Sequence, residues 1–171
     1  MFRLSGLMAS LGLLVLVGAA RADHKEPAND REFVEHMAKG GNAEVKLGEL
    51  AERRAGNEKV KAFAARMVKD HSEANKKLMD AAKNLKVAVA PGLDEEMQKH
   101  FMEMSKLQGD DFDKHYAKMM AEDHDKAVAL VEKFSKMAQD AEVKKWCEES
   151  LPVLREHQKM AKDLNDTVNK K

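Results

Sequence analysis

The sequence has few of the residues that cross-link or interrupt small proteins. Its 171 residues include one cysteine and three prolines, and aromatic side chains make up 5%. A single thiol, Cys147, cannot form an internal disulfide, so a core must hold the fold together. Basic and acidic residues balance at 30 each, which argues against a nucleic-acid partner. We expect Cys147, which follows Trp146 on an apolar helix face, to be buried.

Long apolar runs are also scarce, and the clearest one lies at the N-terminus. Arg3 precedes an apolar stretch over residues 7–17, and an A-x-A site ends at Ala22. This pattern predicts a signal peptide over residues 1–22 that is cleaved after Ala22. The mature protein would then be periplasmic or secreted in a bacterium, with no stable membrane span and a flexible lead over residues 23–29. The alternative is an uncleaved anchor, for which the apolar run is short.

The rest of the chain shows the apolar periodicity of packed helices. Core positions recur at alternating steps of three and four residues, which is typical of helices in a bundle. The pattern predicts helices over residues 30–55, 57–85, 94–107, 110–137 and 140–169. Short loops make the first two and the last two helices antiparallel, and Pro152 is expected to kink the last one. We therefore predict an all-α, ferritin-like antiparallel four-helix bundle over residues 30–169, with a short extra helix in the central crossover.

Several polar residues occupy or border the core stripes of the four long helices. They are Glu44, His71, Asp123, His124 at the stripe margin, and His157. At a rise of ~1.5 Å per residue they lie roughly 20–25 Å along their helices, so antiparallel packing brings them to one level. A buried polar group without a partner costs ~1–3 kcal/mol, so these groups must pair with one another, with water or with an ion.

Three of the histidines directly follow an acidic residue. The pairs are Asp70-His71, Asp123-His124 and Glu156-His157. Adjacent helical residues differ by about 100° in direction, so both members cannot face inward. We expect the imidazoles to face inward and Asp70 and Glu156 to turn toward a neighbouring helix or solvent. There a carboxylate can orient an imidazole from the next helix, as carboxylates do around metal sites.

Two interpretations of the polar cluster stay open at this stage. One is a site for a divalent transition metal, with the three histidines as nitrogen ligands and Glu44 and Asp123 as oxygen ligands. The other is a hydrogen-bonded layer that fixes helix register in a non-enzymatic structural or stress-related envelope protein. The Glu-x-x-His motif of di-iron bundles is missing, which argues against a di-iron oxidase. No Gly-rich phosphate loop or nucleophile elbow indicates another enzyme class.

Three further features each leave an alternative open. Gly40 and Gly41 interrupt the first helix pattern and indicate either a close helix approach or a kink. The twelve methionines favour flexible core filler over a copper site. The amphipathic segment over residues 94–107 indicates a surface for self-association, which would make the protein a homo-oligomer.

The motifs together resemble a bacterial exported family, domain of unknown function 4142, over most of residues 30–164. The matching segments include Gly40-Gly41-Asn42-Ala43-Glu44-Val45-Lys46-Leu47-Gly48, Met67-Val68-Lys69-Asp70-His71-Ser72, Asp123-His124 and Leu151-Pro152-x-Leu154-Arg155-Glu156-His157. The resemblance implies a ferritin-like four-helix bundle in an exported protein. It implies no activity.

Overall fold

The computed structural model describes residues 26–170, and this part of the chain forms five α-helices and no strand. The helices are α1 (Asp30–Arg54), α2 (Glu58–Asn84), α3 (Glu95–Met104), α4 (Gly109–Met137) and α5 (Ala141–Asn169). The helices α1, α2, α4 and α5 form the bundle, and α3 lies in the crossover between the two hairpins. This confirms the predicted fold class. The predicted signal peptide lies outside the described residues, and its cleavage stays a prediction.

Side-chain caps explain where most of the helices begin. The side chains of Asn29, Asn57 and Asp94 accept a backbone N–H of the first turns of α1, α2 and α3. Asp140 accepts two such groups at the start of α5. Caps of this kind satisfy amide groups that have no partner within the helix. The largest error in the predicted bounds is at α3, which ends three residues early because residues 105–107 close it with tight turns.

Each hairpin loop is anchored by an aspartate from the other hairpin. Asp113 of α4 accepts the backbone N–H groups of Gly56 at 3.1 Å and Asn57 at 2.8 Å, in the loop between α1 and α2. Asp30 of α1 accepts the N–H of Asp140 at 2.6 Å, in the loop between α4 and α5. The anchors lie at opposite ends of the bundle, so they fix the height of one hairpin against the other.

Glycines on α1 allow this helix to lie close to α2. A Cβ at Gly41 would overlap the side-chain amide of Asn75, and a Cβ at Gly48 would lie 2.6 Å from Cγ2 of Val68. A Cβ at Gly40 would meet nothing within 4 Å. Of the two interpretations of the glycine pair, close helix approach is therefore the one that the structure supports, and Gly41 accounts for it.

The apolar core divides into two clusters along the bundle. One surrounds Phe63 and Tyr116, and the other surrounds Phe33, Phe134 and Trp146. Cys147 belongs to the second cluster and has no exposed surface, which confirms its predicted burial. The helix α5 continues through Pro152. No helix within residues 26–170 is long and apolar enough to cross a membrane.

Candidate metal centre

Three histidines from three helices meet inside the bundle. His71 lies on α2, His124 on α4 and His157 on α5, and one ring nitrogen of each lies within 4.8 Å of the other two. The ring centroids form a nearly equilateral triangle with sides of 5.6, 5.4 and 5.5 Å. His124 and His157 are each 1% exposed, and His71 is partly buried. The structure thus brings together the three predicted nitrogen ligands.

Hydrogen bonds fix the tautomers of two of these imidazoles. Nδ1 of His124 lies 2.9 Å from the carbonyl oxygen of Met120, and Nε2 of His157 lies 2.9 Å from Oδ2 of Asp70. A carbonyl or ionised carboxylate oxygen can only accept, so both ring nitrogens carry the hydrogen. In the neutral rings the opposite nitrogens then hold lone pairs.

One further ring nitrogen of each histidine has no hydrogen-bond partner in the described part of the chain. Nε2 of His71, Nε2 of His124 and Nδ1 of His157 are buried, and no hydrogen bond within residues 26–170 reaches them. A hydrogen-bonded layer that only fixed helix register would satisfy these atoms through one another. Nε2 of His124 and Nδ1 of His157 carry lone pairs, and together with Nε2 of His71 they form a cluster of unpartnered nitrogen atoms that suits an ion.

Burial keeps the histidines neutral. It lowers the pKa of His71 to about 3, an effect that the neighbouring imidazoles reinforce, and it lowers the pKa of His124 to about 4. Burial also lowers the pKa of His157, although its hydrogen bond to Asp70 acts in the opposite direction. Neutral imidazole is the form that binds metals, so the cluster needs no proton loss at pH 7.

A charged network supports His157 from outside. Oδ2 of Asp70 also accepts Nε of Arg66 at 3.1 Å, and Arg66 donates two further hydrogen bonds to Glu156 at 2.9 and 2.8 Å. Burial alone would raise the pKa of Asp70, but the hydrogen bonds from His157 and Arg66 outweigh it and hold that pKa below its usual value. Asp70 therefore orients an imidazole of the next helix, whereas Glu156 reaches the cluster only through Arg66.

The helix α1, the one bundle helix that supplies none of the three histidines, places Glu44 in the core. Its Oε2 is buried and has no hydrogen-bond partner among the described residues, and the same holds for the hydroxyl of Tyr116. Burial raises the pKa of Glu44 to about 8, and the charge of Asp123 adds to this shift. Glu44 is therefore mainly protonated at pH 7, but its oxygens do not belong to the group of close ligand atoms.

Asp123 does not face the core, which corrects the predicted stripe of the third long helix. Its side chain is 44% exposed and forms an ion pair with Lys126 at 3.1 Å. His124 takes the inward position instead, because adjacent helical residues point about 100° apart and α4 is rotated to bury the imidazole. The predicted role of Asp123 as an oxygen ligand stays a prediction, and the described geometry does not bring it to the histidines.

Comparison with known proteins gives the chain a family and a structural likeness. Residues 16–164 match the family described as "Domain of unknown function (DUF4142)". The chain belongs to this family. A solved structure described as "CopM in the Cu(I)-bound form" is 17% identical, with a TM-score of 0.69 over 84% of this chain and 100% of that chain. A second, "CopM in the Cu(II)-bound form", is 18% identical, with a TM-score of 0.68 over 81% and 97%.

At 17–18% sequence identity, the similarity to these two structures shows a shared fold. No match was found among curated proteins.

The donor atoms of this DUF4142 protein suit a late transition ion. Zinc, copper and nickel all accept imidazole nitrogen, and three protein ligands leave a fourth position open. Nitrogen atoms bound tetrahedrally at ~2.0–2.1 Å would lie about 3.3 Å apart. One ring nitrogen of each histidine lies within 4.8 Å of the other two, so the rings would have to move together by up to about 1.5 Å around an ion. The histidines therefore suit a bound metal in chemistry, and a movement of this size brings them to coordination distance.

Proposed function

We propose that this protein binds one late transition-metal ion, with His71, His124 and His157 as its nitrogen ligands. The observation that carries the proposal is the set of three buried ring nitrogens, one from each histidine, that have no hydrogen-bond partner. Leaving such groups unpaired costs ~1–3 kcal/mol each, and a metal ion removes that cost at all three.

Glu44 is the proposed fourth ligand. It lies on α1, so the site would take one ligand from each long helix and would tie the two hairpins together. Its buried Oε2 has no other partner in the described part of the chain. Because Glu44 is protonated in the metal-free protein, coordination would release a proton. Asp123 would have to leave Lys126 and turn inward to take this position, so it serves as the matched comparison.

Cu²⁺ is the ion that we expect to bind most tightly. Nitrogen and carboxylate donors follow the order of affinity that peaks at Cu²⁺ and falls at Zn²⁺. The two similar solved structures are described as copper-bound, which supports copper as the metal of this proposal. With the predicted signal peptide, the protein would bind or buffer the metal outside the cytoplasm without catalysing a reaction.

The test is metal binding by the mature chain, residues 23–171, purified without a tag. Metal-free protein is titrated calorimetrically with Cu²⁺, Zn²⁺, Mn²⁺ and Fe²⁺, and bound metal is counted after dialysis. We expect one Cu²⁺ per chain, weaker Zn²⁺ binding, and loss of both in His124→Leu. Glu44→Gln should weaken Cu²⁺ binding, whereas Asp123→Asn should match the wild type. Failure of all four ions to bind would refute the proposal and leave the polar layer as a device that fixes helix register.

A further inference from the structure

We propose that Arg66 is a positioning residue of the histidine site, because it holds Asp70 where that carboxylate selects the ring nitrogen of His157 that faces the ion. This inference rests on the proposed function and adds a residue that does not itself touch the metal. It follows from three linked contacts on the outer side of His157, between α2 and α5.

A single carboxylate oxygen joins the arginine to the histidine. Oδ2 of Asp70 accepts Nε2 of His157 at 2.9 Å and Nε of Arg66 at 3.1 Å. The Asp70 side chain is 17% exposed, so solvent reaches it and competes for its oxygens. A carboxylate with one partner could turn toward water. With the arginine as second donor, its Oδ2 stays in front of the imidazole.

Arg66 is in turn held from α5. Its two terminal nitrogens donate to the two carboxylate oxygens of Glu156 at 2.9 and 2.8 Å, and Nη1 lies 3.7 Å from Sδ of Met160. The planar guanidinium therefore uses one edge for Asp70 and the other for Glu156. Only arginine presents donors on two edges in a rigid plane, so lysine cannot make both sets of contacts at once.

The consequence concerns the tautomer of His157. Because the ionised carboxylate only accepts, the ring hydrogen is held on Nε2, and Nδ1 keeps the lone pair that faces the other two histidines. If Asp70 turns away, His157 can carry its hydrogen on Nδ1 instead. That tautomer keeps its lone pair on Nε2, on the side of Asp70, so the fraction of the protein in this form must change tautomer before it can bind an ion.

The chain offers a matched control in Arg155. This residue joins α5 to Glu132 on α4 through Nε at 3.2 Å and Nη2 at 2.7 Å. Like Arg66 it links two bundle helices with a carboxylate, but neither it nor Glu132 forms a hydrogen bond with the three histidines in the described part of the chain. Its replacement therefore removes a comparable interhelical ion pair without touching Asp70.

The experiment compares Arg66→Met, Arg66→Lys and Arg155→Met with the wild type. Imidazole ¹⁵N NMR on metal-free protein reports which nitrogen of His157 carries the hydrogen, and chelator competition measures Cu²⁺ affinity. We expect Nε2–H in the wild type and in Arg155→Met. Arg66→Met should show a mixture of tautomers and a loss of affinity of roughly 10–100-fold, the usual effect of removing such outer partners. Arg66→Lys should not restore either property fully.

The inference is overturned if Arg66→Met keeps the wild-type tautomer and binds Cu²⁺ like Arg155→Met. Glu156→Gln provides a second, milder variant in case Arg66→Met fails to fold, and it should shift the tautomer in the same direction. The NMR measurement needs no metal. If the wild type binds no ion, the proposed function fails, while the tautomer result still decides whether Arg66 positions His157.

Discussion

Burial of a single carboxyl group, that of Glu44, links the stability of the core to pH. Its pKa rises from the usual 4.5 to about 8 in the folded chain. Between these values the folded state holds a proton that the unfolded state releases, so the free energy of unfolding falls as pH rises through this window. Glutamine has the same shape and stays neutral. The substitution Glu44→Gln should therefore remove this fall in the free energy of unfolding.

We predict that Glu44→Gln raises the free energy of unfolding of the metal-free protein by roughly 1–3 kcal/mol at pH 8, with partial exposure of Glu44 limiting the effect. The difference should shrink toward zero at pH 5. Urea unfolding at both pH values measures it, and Glu35→Gln, the same change at a half-exposed position of the same helix, is the control. A gain that is equal at pH 5 and pH 8 would show that the carboxyl is not held protonated.

The thiol of Cys147 is the second residue whose chemistry burial decides. Burial raises its pKa to about 12, and the side chain has no exposed surface. The thiolate is the reactive form. We predict that a disulfide reagent at pH 8 modifies the native protein roughly 10³-fold more slowly than an ordinary thiol, and at the ordinary rate in urea. Met102→Cys in a Cys147→Ala background is the comparison, because Met102 is 57% exposed. Fast labelling of the native wild type would mean that α5 opens locally.

At the level of helices, the contact between α1 and α2 depends on one particular glycine. A Cβ at position 48 would lie 2.6 Å from Cγ2 of Val68 and 3.1 Å from the carbonyl oxygen of Ala64, and that backbone atom cannot turn aside. We predict that Gly48→Ala lowers the free energy of unfolding by about 1–3 kcal/mol, the usual cost of overpacking. Gly40→Ala should raise it by about 1 kcal/mol, because alanine favours the helix and its Cβ meets nothing there.

Denaturant unfolding of both variants tests the contact. The two substitutions are chemically identical and lie on the same helix, so the opposite sign isolates the packing against α2. If both alanine substitutions stabilised the protein, α1 and α2 would be able to move apart at position 48 without lowering the free energy of unfolding.

For the whole molecule, the sequence predicts well what depends on local periodicity. The stripes of α2 and α5 place His71 and His157 in the core because each helix buries one face over seven turns or more. The choice between Asp123 and His124 is different. It depends on the rotation of α4 about its axis, which the packing of α5 sets. The roles of Arg66 and Asp113 could not be predicted from the sequence for a related reason. Their hydrogen-bond partners lie on other helices or are backbone groups far along the chain.

The proposed metal site takes ligands from several helices of the bundle, so ion binding should change global stability. Cu²⁺ at 100 times its dissociation constant would add ~2.7 kcal/mol to the free energy of unfolding, or roughly 5–10 °C to the melting temperature for a chain of this size.

The stability of the metal-free protein should also depend on pH. The pKa values of about 3 and 4 for His71 and His124 mean that the unfolded chain takes up protons below pH 6.5 that the folded chain refuses. The contribution of these two neutral histidines to stability is therefore fully present above pH 6.5 and is lost as pH drops toward 4, opposite in sign to that of Glu44.

We predict that Cu²⁺ raises the melting temperature at pH 7 and that the rise shrinks strongly toward pH 4, because Glu44, whose pKa is about 8, must release its proton to coordinate the ion. His157→Leu should abolish the rise at pH 7. His100→Leu, which changes an exposed histidine on α3, should leave it intact. Differential scanning calorimetry at both pH values provides the measurement. A rise that survived in His157→Leu but disappeared in His100→Leu would place the ion on the surface and contradict the proposal. An ion bound by the three histidines would instead connect three helices inside the bundle.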